Sequence, residues 1–190
     1  MKDSLAYLPE GLPVPVDDGA CNHLMGLPIP NMKLKSTNGE LVELKNINGR
    51  VVIYLYPMTG PSEIPLPKGW DEIPGARGCT PQACSFKNHY AALQELDVEI
   101  FGMSTQSSEF QKKEKERIHL PFDLLSDENI EFAKALNLPL HYVDNLVLHK
   151  RVTLIFDAGK IIKYFYPVFP PDKNIDEVIG YFKGQELNNE

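Results

Sequence analysis

The residues best suited to chemistry in this chain are seven consecutive ones, Gly78-Cys79-Thr80-Pro81-Gln82-Ala83-Cys84. A long loop-like stretch precedes them. Helical spacing follows from Thr80 to Leu96, with Phe86, Tyr90 and Leu93 at i, i+4 and i+7. Pro81 suits a first helical turn, where its missing N–H would have had no partner. Cys79 therefore stands at or just before a helix N-terminus. Free N–H groups and the positive end of the helix dipole favour a thiolate there, and the thiolate is the nucleophilic form. The competing reading is a small buried apolar residue. A glycine-flanked helix start after a long loop favours the reactive one.

Cys84 falls on the side of that helix away from Phe86, Tyr90 and Leu93, which argues against a core-packing role. The two sulfurs cannot bridge in place. Cα atoms five residues apart in a helix lie ~8.7 Å from each other, whereas disulfides rarely span more than ~7 Å. A Cys79–Cys84 bond requires the first turn to unwind. The C-x₄-C spacing lacks a second pair of ligands and the five histidines show no paired spacing, so no metal site is expected. Cys21, in a proline-rich segment, reads as a structural or inert thiol. Trp70 reads as a pin holding its loop to the body, and KKEKER (112–117) as a solvated helix face.

The elements that must position Cys79 alternate in type. Asn31–Ser36 and Glu40–Leu44 flank Thr37-Asn38-Gly39 as a small hairpin. Arg50–Tyr56, RVVIYLY, is a strand buried on both faces. Val98–Ser104 is a second buried strand. Ser107–Ile118 is a charged helix with Ser107 or Ser108 as N-cap. Asp127–Leu136 is a short helix stopped by Asn137 and Pro139. Arg151–Asp157 and Lys160–Val168 pair across Ala158-Gly159, and Asn174–Gly184 closes the chain as a helix with Asn174 in capping position. This order implies one α/β sandwich, a mixed central sheet covered on both faces. Residues 1–30 form a Pro-rich arm with Leu24, Leu27 and Ile29 as anchors, 31–184 the domain, and 185–190 a tail. The stretch from Pro57 to Pro81 holds six prolines, and loops this long are usually functional.

Composition narrows the partners. The 190 residues, with a formal charge of -7 and four arginines, are a poor electrostatic match to nucleic acid or an anionic membrane. No apolar run is long enough to span a bilayer, and Met1 to Val16 lacks the pattern of a signal peptide. Three cysteines do not make a secreted disulfide framework, so a reducing, cytoplasmic home is expected.

Four stretches together resemble the peroxiredoxins, specifically the peroxiredoxin Q or bacterioferritin comigratory protein group: VVIYLYP (51–57), GCTPQACSFKNHY (78–90), FGMSTQSSEF with LPFDLLSD (101–110 and 120–127), and RVTLIFDAGKI (151–161). The resemblance runs from about Asn31 to Phe182. It implies a thioredoxin-like three-layer sandwich and a thiol-dependent peroxidase acting on hydrogen peroxide or organic hydroperoxides. Cys79 is similar to the family's peroxidatic cysteine and Cys84 to its resolving cysteine, with an intramolecular disulfide between them in the cycle. Pro57 resembles the proline that shields the sulfur. Arg151 resembles the arginine that stabilises thiolate and peroxide, a role its planar, permanently charged donors suit. The same resemblance implies thioredoxin or glutaredoxin as reductant, no metal, haem or flavin, and a monomer or homodimer.

The chain departs from the family's P-x-x-x-T-x-x-C pattern. Twenty-one residues separate Pro57 from Cys79 where the family has six, an insert over 58–77, and Ala76 stands at the threonine position. Thr59, Arg77 and Thr80 are the candidates to replace that hydroxyl in the substrate pocket. Two other readings of the sequence remain: a thiol–disulfide oxidoreductase, disfavoured by the wide cysteine spacing, and a non-enzymatic redox sensor or binding module.

Overall fold

A computed structural model describes residues 7–60 and 65–187. The expected arm, insert and tail are therefore described except for 1–6, 61–64 and 188–190. Seven strands form one mixed sheet. They are β1 (Leu34–Ser36), β2 (Leu41–Val42), β3 (Arg50–Leu55), β4 (Val98–Ser104), β5 (Leu124–Ser126), β8 (Val152–Asp157) and β9 (Lys160–Phe165), in the order β2-β1-β5-β4-β3-β8-β9. A separate hairpin pairs β6 (Leu140–Val143) with β7 (Leu146–His149). The helices are α1 (Cys79–Asn88), α2 (Tyr90–Glu95), α3 (Ser108–Ile118), α4 (Glu131–Ala135) and α5 (Asn174–Leu187).

β3 explains the layering. It pairs parallel to β4 and antiparallel to β8, so both its edges are satisfied. Successive side chains of a strand point to opposite faces. Val51, Ile53 and Leu55 join Cys21, Leu24 and Ile29 of the arm and Phe132 and Leu136 around α4. Val52, Tyr54 and Tyr56 join Phe86 of α1, Leu93 of α2 and Val178 and Phe182 of α5. Each fully buried Val, Ile or Phe contributes about 1.5–3 kcal/mol of hydrophobic stabilisation, so the strand is held from both sides. Gly102 of β4 permits this packing, because a Cβ there would lie 2.7 Å from the Tyr54 ring.

The arm is anchored by backbone as well as by Leu24 and Ile29. Gly26 N–H donates to Ile161, Ile161 N–H to Leu27 and Ile29 N–H to Gly159, which covers the outer edge of β9. Ala158 and Gly159 both have positive φ, the backbone that a two-residue hairpin turn requires. Ser107 is the N-cap of α3, its Oγ accepting from Phe110 N–H at 3.2 Å.

Several expectations are corrected. The helix over 80–96 is broken at His89, whose torsions leave the helix and whose Nδ1–H donates to the Ser85 carbonyl at 2.9 Å. Helix α4 is shorter than expected. It starts at Glu131 because the buried Asp127 carboxylate accepts the N–H groups of Phe132 and Ala133. Asn137, at φ 48°, lies just past its end. β9 stops at Phe165, ahead of Pro167, which cannot donate to a ladder. α5 runs past Gly184 to Leu187. The 112–117 run is only partly solvated. Glu114 is buried and paired with Arg117, and Lys115 reaches Asp123. β5, β6 and β7 were not anticipated.

Candidate active site

Gly78 sets up the start of α1. Its φ of 104° lies in the left-handed region, and a Cβ there would lie 2.5 Å from Pro171 Cγ and 2.6 Å from Leu8 Cδ2. Only glycine fits on both counts. Cys79 follows as the first residue of α1, 5% exposed, with its Sγ facing the Ala76 carbonyl at 3.7 Å.

Arg151, immediately before β8 and 3% exposed, brings its guanidinium to the sulfur, with Nη2 donating to Cys79 Sγ at 3.2 Å. The same nitrogen donates to the carbonyls of Ala76 (3.1 Å) and Arg77 (3.3 Å), while Nη1 donates to Gln82 Oε1. Gln82 Nε2 donates in turn to Asn174 Oδ1 at 3.2 Å, which also accepts from Thr153 Oγ1 at 2.6 Å. Gln82, Asn174 and Thr153 have no exposed surface. A buried guanidinium is costly unless its donors are matched. Three carbonyl oxygens from two segments accept from Nη1 and Nη2 and fix the fork against Cys79, while Nε is buried with no hydrogen-bond partner among the described residues. The result is a sulfur held between a helix N-terminus and a fixed cation, an arrangement that accommodates negative charge on sulfur.

Asn174 was expected as a cap of the last helix. Its backbone is already helical, and its side-chain oxygen is turned to Gln82 and Thr153. No sequence signal marks Asn174 or Thr153 as neighbours of the site. Gln82 carries one, since it follows Cys79 by three residues and so lies on the same helix face.

A pocket of about 20 Å³ opens on Cys79, and Thr59, Arg77 and Thr80 all line it, with Leu66 and Trp70. Pro57 is buried beyond β3 but does not line this pocket. Thr59 is clamped by Gln106, which accepts from its N–H at 3.0 Å and donates to its carbonyl at 2.7 Å. Arg77 is engaged with Asp71 at 3.1 Å. Ala76, at the family's threonine position, is wholly buried with Trp70 and Leu148. Trp70 thus does pin the insert to the β7 hairpin.

Cys84 is placed differently from the sequence expectation. It is half-buried and packs against the cluster holding Tyr54 and Phe86. The first half of α1 is buried all round, because the turn at Pro171–Lys173 and α5 cover the side away from the sheet. Both cysteines lie within α1 and no disulfide joins them. Tyr54 stacks on Phe86 at 4.6 Å. Burial, then Tyr56, Cys84 and Cys79, push its hydroxyl well above the usual tyrosine range, so it stays protonated beside the sulfurs. Among the described residues no cluster of His, Cys, Asp or Glu could hold a metal ion.

This sheet order, with a cysteine at the helix that follows β3, defines a thioredoxin-like fold. A peroxidoxin BcpB from Mycobacterium tuberculosis superposes with a TM-score of 0.68 at 22% identity, over 84% of this chain and 96% of that one. A Xanthomonas campestris peroxiredoxin Q gives 0.67 at 19% identity, over 85% and 96%. The Redoxin family model matches residues 25–179. A chloroplastic peroxiredoxin Q of Sedum lineare is 34% identical over 152 residues, covering 79% of this chain and 73% of its own length. One of Oryza sativa subsp. japonica is 33% identical over 156 residues, covering 81% of this chain. The chain spans 64% of the rice relative's length. It belongs to the peroxiredoxins, in their peroxiredoxin Q group.

Proposed function

We propose that this protein is a thiol-dependent peroxidase. The Cys79 thiolate attacks the terminal oxygen of a hydroperoxide and the O–O bond breaks. The leaving oxygen takes a proton to become water or an alcohol, and the sulfur becomes sulfenic acid. The first turn of α1 unwinds, and the Cys84 thiol condenses with the sulfenic acid, releasing water and forming the Cys79–Cys84 disulfide. A dithiol protein of the thioredoxin or glutaredoxin type then restores both thiols by exchange. Arg151 orients the peroxide and balances charge on the sulfur, while Thr59 and Thr80 supply hydroxyls in the pocket. No metal, haem or flavin enters the cycle.

The observation that carries this reading is the contact between the Arg151 guanidinium and Cys79 Sγ at 3.2 Å, at the N-terminus of α1. The chemistry agrees with the names of the relatives, and one Xanthomonas campestris neighbour is described by its alkyl peroxide reduction activity. Placement of both cysteines in one helix disfavours a direct thiol–disulfide oxidoreductase, which needs its sulfurs within bonding distance. Three cysteines outside any disulfide suit a reducing compartment such as the cytoplasm, although the plant relatives are chloroplastic. No helix among the described residues is long and apolar enough to cross a membrane.

The test is peroxide consumption with a thioredoxin reducing system, together with peptide mass spectrometry after one equivalent of peroxide. The reading expects a Cys79–Cys84 disulfide in the wild type and a sulfenic acid on Cys79 in Cys84→Ser. Undiminished turnover in Cys79→Ser would end it.

A further inference from the structure

The insert before Cys79 departs from the family's P-x-x-x-T-x-x-C spacing, and its described part forms walls of the pocket at Cys79. Leu66 and Trp70 both come from it, and they meet Met58, Thr59 and Arg77 around Cys79. The pocket is open to solvent on one side, and its volume, about 20 Å³, is little more than the ~10–15 Å³ that one water needs. Two oxygen atoms fit that scale, whereas a branched or aromatic carbon next to the O–O bond does not.

The walls are braced. Trp70 is 3% exposed and packs with Ala76 and Leu148. Backbone bonds from Trp70 N–H to Pro67, Ile73 N–H to Trp70 and Ala76 N–H to Ile73 carry it in a chain of tight turns. The Arg77–Asp71 ion pair ties the same turn to the residue before Gly78. On the opposite wall Gln106 holds the Thr59 backbone at both N–H and C=O. Methionine and leucine can shift rotamers, but the indole is locked on its buried side.

The molecule does have a roomy cavity, and it is in the wrong place for a bulky tail. A groove of about 430 Å³ runs between Val14–Val16 of the arm, Ile73–Gly75 of the insert and Tyr166–Val168. Arg151 is in its lining but Cys79 is not. The Arg151 guanidinium, which donates to Cys79 Sγ, is bonded to the Ala76 and Arg77 carbonyls.

Resting on the peroxidase reading, we propose that Trp70 and Leu66 make this enzyme selective for hydrogen peroxide over branched and aromatic organic hydroperoxides. The insert acts by steric exclusion at the reacting sulfur. Ala76 belongs to the same device, since the indole packs on its methyl group.

Stopped-flow measurement of Cys79 oxidation by hydrogen peroxide and by cumene hydroperoxide tests this in the full chain. The wild type should prefer hydrogen peroxide by about a hundredfold or more. Leu66→Ala and Trp70→Ala should each lower that ratio by about tenfold, through a faster cumene hydroperoxide reaction. Trp70→Phe, which keeps an aromatic in the cluster, serves if Trp70→Ala does not fold, and should lower the ratio less. Equal wild-type constants for the two peroxides overturn the selectivity and leave the peroxidase intact, as does a ratio that none of the variants moves. Oxidation of neither peroxide by Cys79 overturns both.

Discussion

Cys79 and Cys21 are both buried cysteines, and they sit on opposite faces of the same sheet. Cys79 begins a helix and accepts a hydrogen bond from a guanidinium. Cys21 lies among Leu24, Val51 and Phe132, with Asp18 and Asp17 as its nearest acidic charges. Burial, then those two carboxylates, push its thiol up to about 12. Burial alone therefore does not fix the charge surroundings of a thiol. The sign of the local field is the deciding difference, and in Cys79 it comes from a helix start and an arginine more than seventy residues away.

The comparison breaks most sharply at the sulfurs themselves. Cys79→Ser should lower peroxide consumption by about a thousandfold or more, as loss of a nucleophile does. Cys21→Ala should leave it within about twofold, since distant sites act independently. A steady-state peroxidase assay on the two variants reads both outcomes.

The cation is the next lever. Arg151→Met removes the donor at Cys79 Sγ and should cost about 10²–10³-fold in the second-order rate constant for peroxide. Arg151→Lys should recover little, because an ammonium cannot serve two carbonyls, a glutamine and the sulfur with one planar fork.

Support of that fork comes third. Gln82→Leu leaves Arg151 Nη1 without its acceptor and should slow the same step about tenfold to a hundredfold, the range for residues that orient a reacting group. Gln82→Glu keeps an acceptor in place and should restore most of the rate. A merely structural role would instead lower the unfolding midpoint of both variants without this split.

The last effect is on stability and belongs to Cys21. Its folded-state value is raised above the reference of 9.0 to about 12. The folded state then holds a proton that the unfolded state releases. This contribution is complete below about pH 9 and is lost as pH rises through 12. Urea midpoints measured from pH 8 to 11 should fall more steeply for the wild type than for Cys21→Ala. Parallel curves would remove the electrostatic contrast.

Legibility in the sequence followed the range of the interactions. RVVIYLY reads as a two-faced strand because alternation is a property of neighbouring residues. The Gly78 helix start and the Ser107 cap read for the same reason. β5 and β6 escaped because three or four residues, without clean alternation, gain their ladder only from a partner strand. The surroundings of Cys84 do not read from a helical wheel, which assumes one buried face, while α1 is enclosed by α5 and the Pro171–Lys173 turn as well as by the sheet. Among the pocket candidates, Thr59, Arg77 and Thr80 line the cavity and Pro57 does not, a distinction that depends on how the insert folds back.

By itself the sequence determined that Cys79 begins a helix, that Arg50–Leu55 is a central strand and that the chain carries a peroxiredoxin's ordered motifs. Each follows from near-neighbour stereochemistry or from the order of short segments. Only the tertiary structure decided that Arg151 meets the sulfur at 3.2 Å, that Asn174 and Thr153 hold Gln82 beneath it, and that Trp70 narrows the pocket. Those contacts join residues far apart in the chain. Their energies depend on burial and hydrogen-bond matching, which exist only once the layers have packed.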